Sequence, residues 1–143
     1  PEVISDKCYG TSVDWWALGI LVYEMLIGRT PFYDISKPKI YNKILTSKIA
    51  FPDKRFYNFD YSDELVDLVS KLLQRDPANR LCGVDAILSH PFFKDIDTEK
   101  LLRKEIISQY IPDPNKFYDF KTKQAELTET ILSPIDLNTI SDA

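Results

Sequence analysis

The run from Val13 to Gly28, VDWWALGILVYEMLIG, limits what this chain can fold into more than any other stretch. A helix that is apolar on every side belongs inside a protein or a membrane, and this run is shorter than the ~20 residues a bilayer requires. It also contains Asp14 and Glu24. A carboxylate taken out of water without a partner is costly, so the run predicts a central, buried helix whose two acids need partners. Thr11 or Ser12 is placed to cap it, and Asp14 falls in the first turn, where negative charge is favoured. Gly28 supplies a left-handed stop and Pro31 bars continuation.

The remaining composition narrows the class. A chain of 143 residues suits one modest domain with a single core. The net charge is -4 and the lysines are scattered. That argues against nucleic acid and gives no ground for a membrane surface. No secretory or transit segment is visible, and no membrane insertion is expected. Cys8 and Cys82 suit free thiols in a reducing compartment, so a cytoplasmic location is expected, with the nucleus as the other candidate. One histidine and two distant cysteines fit no common zinc pattern. The chain begins at Pro1 and its one methionine is Met25, so it is expected to be a processed product or part of a longer polypeptide.

Further helices follow from periodicity. Lys37 to Leu45 predicts a second, with Pro38 in its first turn and Ile40, Tyr41, Ile44 and Leu45 on one stripe. The aromatic run from Phe51 to Tyr61 has no clean alternation and is read as irregular. Ser62 caps a third helix with Leu65, Val66, Leu68, Val69, Leu72 and Leu73 at amphipathic spacing, stopped by Asp76-Pro77. A short fourth helix covers Val84 to Ser89, after which Phe92 and Phe93 plug into apolar surroundings. A fifth is expected from Thr98 to Gln109, with Leu101, Leu102, Ile106 and Ile107 inward. From Ile111 prolines and polar residues dominate, and an extended tail is expected. The fold class is mainly α.

The motifs DWWALGILVYEML, GRTPF, LLQRDPANRL and HPFF together resemble the C-terminal lobe of the eukaryotic protein kinases. The doubled tryptophan and trailing segment resemble the AGC group, which includes the cAMP-dependent kinases and protein kinase B. The resemblance implies a partial kinase C-lobe over residues 1–110 and an AGC-type tail over residues 111–143. Pro1-Glu2 then stands at the end of the family's Ala-Pro-Glu motif.

Several roles are implied by position. Glu2 matches the acid that pairs with a buried arginine, here Arg80. Asp14, Trp16 and Gly19 match the family's Asp-x-Trp-x-x-Gly, in which the acid holds the catalytic-loop backbone; from composition alone Asp14 is a helix-start acid. Glu24 sits near the helix C-terminus, where the macrodipole disfavours an anion by ~0.3–1 kcal/mol. It pairs locally with Arg29, or it recognises a substrate arginine as in basophilic AGC kinases. His90 is read as a structural hydrogen-bonder. Ser133, before Pro134, is either a turn-motif phosphorylation site or a plain Ser-Pro turn. Phe117 and Phe120 stand near where AGC tails send an aromatic toward adenine. Asp119-Phe120-Lys121 lacks the glycine of the metal-binding Asp-Phe-Gly motif and is not taken for it.

The chain also departs from the AGC pattern. Cys8 stands where glycine is frequent, Leu81-Cys82-Gly83 is a short loop, and no Phe-x-x-Phe closes the tail. Phosphoryl transfer needs a phosphate loop, a lysine, a catalytic aspartate and Mg²⁺ ligands, and none of these motifs occurs in the 143 residues. The resemblance therefore implies a serine/threonine kinase as the full-length parent, with ATP and Mg²⁺ as its cofactors. This chain alone is expected to bind no cofactor or metal and to be inactive. It would supply scaffold, a docking face for protein substrates with basic residues near the phosphosite, and a regulatory tail. The partners it needs are the missing N-lobe and catalytic-loop segments. The competing reading is a non-catalytic interaction module or the end of a pseudokinase.

Overall fold

The computed structural model describes residues 1–53, 61–108 and 111. The chain divides into two units, Pro1–Lys94 and Asp95–Ala143. The first holds α1 (Ser12–Ile27), α2 (Lys37–Thr46), α3 (Asp63–Leu72), α4 (Val84–Leu88) and a 3-10 turn at Pro91–Phe93; the second holds α5 (Thr98–Leu102). The described residues contain no strand, and the fold class is helical as expected. The aromatic run after Phe51 lies largely outside the described residues.

α1 stops where its sequence says it should. Gly28 adopts φ 82° and its N–H donates to the Glu24 carbonyl at 2.7 Å, a conformation glycine reaches without a Cβ penalty. Its start differs from expectation. Thr11 occupies the N-cap position with helical backbone angles, and no side-chain cap bond forms.

The burial of α1 also departs from the sequence reading. Gly19, Tyr23 and Ile27 form a buried stripe at four-residue spacing, while Leu21 and Met25 are 51% and 70% exposed and Asp14 and Glu24 face solvent. The expectation of a helix interred on all sides, with its acids needing buried partners, is therefore corrected. Among the described residues, α3 covers one face. Side-chain chemistry tells how much burial a helix tolerates, whereas the elements packed on it decide how much it receives.

α3 is the element on which the core is built. The Ser62 hydroxyl accepts from the Leu65 N–H at 3.2 Å, and Asp63 and Glu64 fill the first turn, both favourable at a helix N-terminus. Its apolar residues serve two clusters. Leu65, Val69 and Leu73 join Tyr23, Ile27 and Tyr61, while Leu68 and Leu72 join Ile87. The adjacent tryptophans divide between them, Trp15 beside the second cluster and Trp16 beside the first.

Helices α1 and α3 approach each other at Gly19. A Cβ there would stand 2.9 Å from Leu72 Cβ and 2.8 Å from Leu73 Cδ2, closer than carbon atoms pack. The tyrosines at this end are tied to the chain that follows α2. Tyr23 Oη donates to the Ala50 carbonyl at 2.6 Å, and Tyr61 Oη donates to the Pro52 carbonyl. Burial pushes the Tyr23 phenol up to about 12, so it remains a donor.

Two further expectations are corrected. Phe93 packs against the second cluster, but Phe92 lies at the surface. α5 ends at Leu102 rather than Gln109, and Leu101, Leu102, Ile106 and Ile107 are all exposed. Lys104 takes φ 58°, and the N–H groups of Lys104 and Glu105 return to the carbonyls of Leu101 and Lys100. This is a Schellman closure. It occurs at a lysine, so no glycine signalled the stop.

Gly19→Val is expected to destabilise the fold by about 1–3 kcal/mol through overpacking at the helix crossing. Urea denaturation monitored by tryptophan fluorescence measures it; an unchanged midpoint would show that the two helices separate freely there.

Candidate functional site

The buried polar centre of the first unit is built from both ends of its sequence. Pro1–Asp6 fold into tight turns, with the Lys7 N–H donating to the Glu2 carbonyl at 3.0 Å. At the other end, Asp76 organises the loop after α3: its carboxylate accepts from the Ala78 N–H and from the Asn79 side chain, each at 3.0 Å. That loop delivers Arg80 to Glu2.

The Arg80–Glu2 contact is bidentate. Nη1 donates to Oε1 at 2.7 Å and Nη2 to Oε2 at 2.9 Å. The remaining donors go to main-chain carbonyls: Nε to Gln74 at 2.9 Å, Nη1 to Ser12 at 2.8 Å, and Nη2 to Arg75 at 3.3 Å. All five N–H groups of the guanidinium are thus engaged. Both residues are about 95% buried. The hydrogen bond from Arg80 lowers the Glu2 carboxyl from 4.5 to about 2, against the opposing effect of burial.

Trp16 completes the arrangement. Arg80 lies 5.2 Å from its ring centroid, and Trp16 stacks on Phe32 at 5.8 Å with 9° between the planes. A shallow apolar cleft beside this centre, of about 170 Å³, is lined by Pro1, Glu2, Val3, Ile4, Val13, Trp16 and Ile44.

Of the residues singled out from sequence, the structure brings Glu2, Arg80 and Trp16 together and puts Gly19 at the α1–α3 crossing. Asp14 and Glu24 stand apart, exposed near opposite ends of α1. The Glu24 carboxylate forms no ion pair among the described residues, including with Arg29. Ser133, Phe117 and Phe120 lie outside the described residues.

His90 is buried and holds two elements together. Its Nδ1 accepts from the Phe92 N–H at 3.3 Å, which leaves Nε2 as the donor to Asp67 Oδ2 at 3.0 Å. Asp67 also binds Lys71 at 2.6 Å. Lys71, then His90, hold the Asp67 carboxyl below the usual carboxylate range. Every donor and acceptor of the imidazole is engaged, which makes the residue structural.

Sequence reasoning gave no role to Phe32 or Arg75, although GRTPF and LLQRDPANRL contain them. Neither has a spacing that marks it, because each acts on a distant segment. Among the described residues no group of three or more His, Cys, Asp or Glu is placed to hold a metal. No step of phosphoryl transfer is assigned to these side chains.

The protein kinase domain family matches residues 1–93. The chain belongs to the protein kinase family. Among its relatives, the serine/threonine-protein kinase YPK2/YKR2 of Saccharomyces cerevisiae is 44% identical over 138 residues, which is 95% of this chain and 19% of the relative. The serine/threonine-protein kinase gad8 of Schizosaccharomyces pombe is 41% identical over 95% of this chain and 23% of the relative. The RAC family serine/threonine-protein kinase homolog of Dictyostelium discoideum is 42% identical over 79% of this chain and 24% of the relative. The kinship with AGC serine/threonine kinases is thereby established, and the chain spans about a fifth to a quarter of those relatives' length.

Removing one member of a buried ion pair typically costs ~3–5 kcal/mol, and Arg80→Ala is expected to fall in that range by thermal or chemical denaturation. The pH dependence has a definite sign. The Glu2 carboxyl is lower in the folded state than its ordinary 4.5, so its contribution is complete above about 4.5 and is lost as pH falls toward about 2. Glu2→Gln should flatten the stability profile across that window; an identical profile in the variant would remove Glu2 as its source.

Proposed function

We propose that these residues are the helical foundation of a serine/threonine protein kinase that transfers the γ-phosphoryl of MgATP to a protein hydroxyl. The observation that carries this reading is the bidentate, fully bonded Arg80–Glu2 pair within the segment that matches the kinase family. Relatives named as serine/threonine-protein kinases support the reaction class. Phosphoryl transfer depends on positioning and charge stabilisation, and a rigid helical base serves the first of these. The groups that hold ATP and Mg²⁺ belong, in this reading, to other parts of the parent protein, and the 143 residues alone are inactive. The exposed apolar side of α1 is then the face on which those parts rest.

Glu24 is the proposed docking residue. Its carboxylate is exposed and free of ion pairs among the described residues, which suits it to accept a substrate guanidinium. Ser133 is the proposed phosphorylation site of the tail.

The test is transfer of labelled γ-phosphate from ATP to serine- and threonine-containing peptides by the full-length protein, with residues 1–143 alone beside it. Transfer by the former and none by the latter is expected. A folded full-length protein with no transfer would favour the non-catalytic module. In the active protein, Glu24→Gln is expected to raise KM for arginine-containing peptides by about tenfold, the equivalent of ~1.4 kcal/mol, while a neutral peptide changes little. Equal changes for both peptides would take the docking role away from Glu24.

A further inference from the structure

α2 is unusual among the longer helices of this chain. It buries no residue outright, its Ser36 cap makes no side-chain bond, and Ser47 ends it in an extended conformation without a left-handed closure. A ten-residue helix of this kind is marginal in water. The last four carbonyls of any helix also lack intrahelical partners.

Arg75 bonds the C-terminal end of α2, where the Lys43 carbonyl already accepts from the Ser47 N–H at 2.9 Å. From the loop after α3, its Nε donates to the Ile44 carbonyl at 2.8 Å. Its Nη2 donates to the Lys43 carbonyl at 3.4 Å and to the Ser47 carbonyl. A single guanidinium thus gathers three carbonyls at the negative end of the helix dipole, where a cation is favoured. Its Cζ also lies 6.0 Å from the Phe32 ring centroid. Phe32 stacks on Trp16, and Trp16 faces Arg80. Arg75 and Arg80, from one short loop, therefore each contact one of the two stacked rings, and Arg80 holds the Arg75 carbonyl.

We infer that Arg75 is the clamp that holds α2 on the helical body. The position of α2 is set by the loop that also carries the buried Arg80–Glu2 pair. The second attachment of α2, Lys43 Nζ to Asp34 at 3.1 Å and to the Tyr33 carbonyl at 2.9 Å, is partly exposed and joins neighbours in sequence. It secures the turn before α2 rather than its attachment to the loop after α3. A lysine at position 75 has a point charge and no fork, and would satisfy fewer of the three carbonyls. The inference goes beyond the kinase reading and needs no assumption about phosphoryl transfer.

The test is amide hydrogen exchange followed by mass spectrometry on the full-length protein, comparing wild type, Arg75→Met and Arg75→Lys. Arg75→Met is expected to speed exchange across residues 37–47 at least tenfold, with α1 and α3 unchanged; Arg75→Lys should give an intermediate increase in the same segment. Unchanged exchange in residues 37–47 in Arg75→Met would overturn the clamp. If Arg75→Met does not fold, Arg75→Lys decides: loosening confined to residues 37–47 supports the clamp, and equal loosening of α1, α2 and α3 overturns it. Peptide phosphorylation assays on the same samples test the kinase reading separately.

Discussion

A carboxylate and a guanidinium separated by 78 positions in sequence meet out of water, and the helical packing is arranged around them. Burying two charges is expensive, and their mutual attraction compensates only when the remaining donors are satisfied. Arg80 meets that condition by engaging the first residue of α1, two carbonyls after α3 and both Glu2 oxygens. The pair constrains geometry. It requires the start of the chain, the head of α1 and the loop beyond α3 to arrive at one point in one orientation. A packed apolar centre of the same volume would tolerate sliding; a fork with five directional bonds does not.

Two aromatic rings extend that constraint. Trp16 lies against Arg80 and Phe32 lies against Trp16, so the indole is in contact with both. One turn further along α1, Gly19 lets α1 and α3 approach closely enough for Leu72 and Leu73 to pack against the helix backbone. The two contacts determine α1 differently. Arg80 sets its axial position by a carbonyl bond near Ser12, while Gly19 sets its distance from α3.

Much of the local structure was legible in the sequence. The Ser62 cap, the stripe from Leu65 to Leu73 and the glycine stop at position 28 each rest on interactions within a few residues, and all three form as their spacing implies. His90 was also readable as structural, since a histidine preceding proline can bond the N–H two residues on. The α5 stop was not readable, because a lysine performs the closure that glycine usually marks. The encounter of Glu2 with Arg80 came from resemblance to a family; periodicity and spacing alone would not have paired them.

The sequence by itself determined where most of the helices lie and which face of α3 is apolar, because these follow from side-chain chemistry and short-range backbone bonding. Only the tertiary structure decided how much of α1 is buried, that Trp16 meets both an arginine and a phenylalanine, and that Arg75 reaches α2. Those outcomes depend on which surfaces meet in space. A guanidinium, an indole or an apolar stripe carries the capacity for such contacts in its composition, while the partner is selected by the fold.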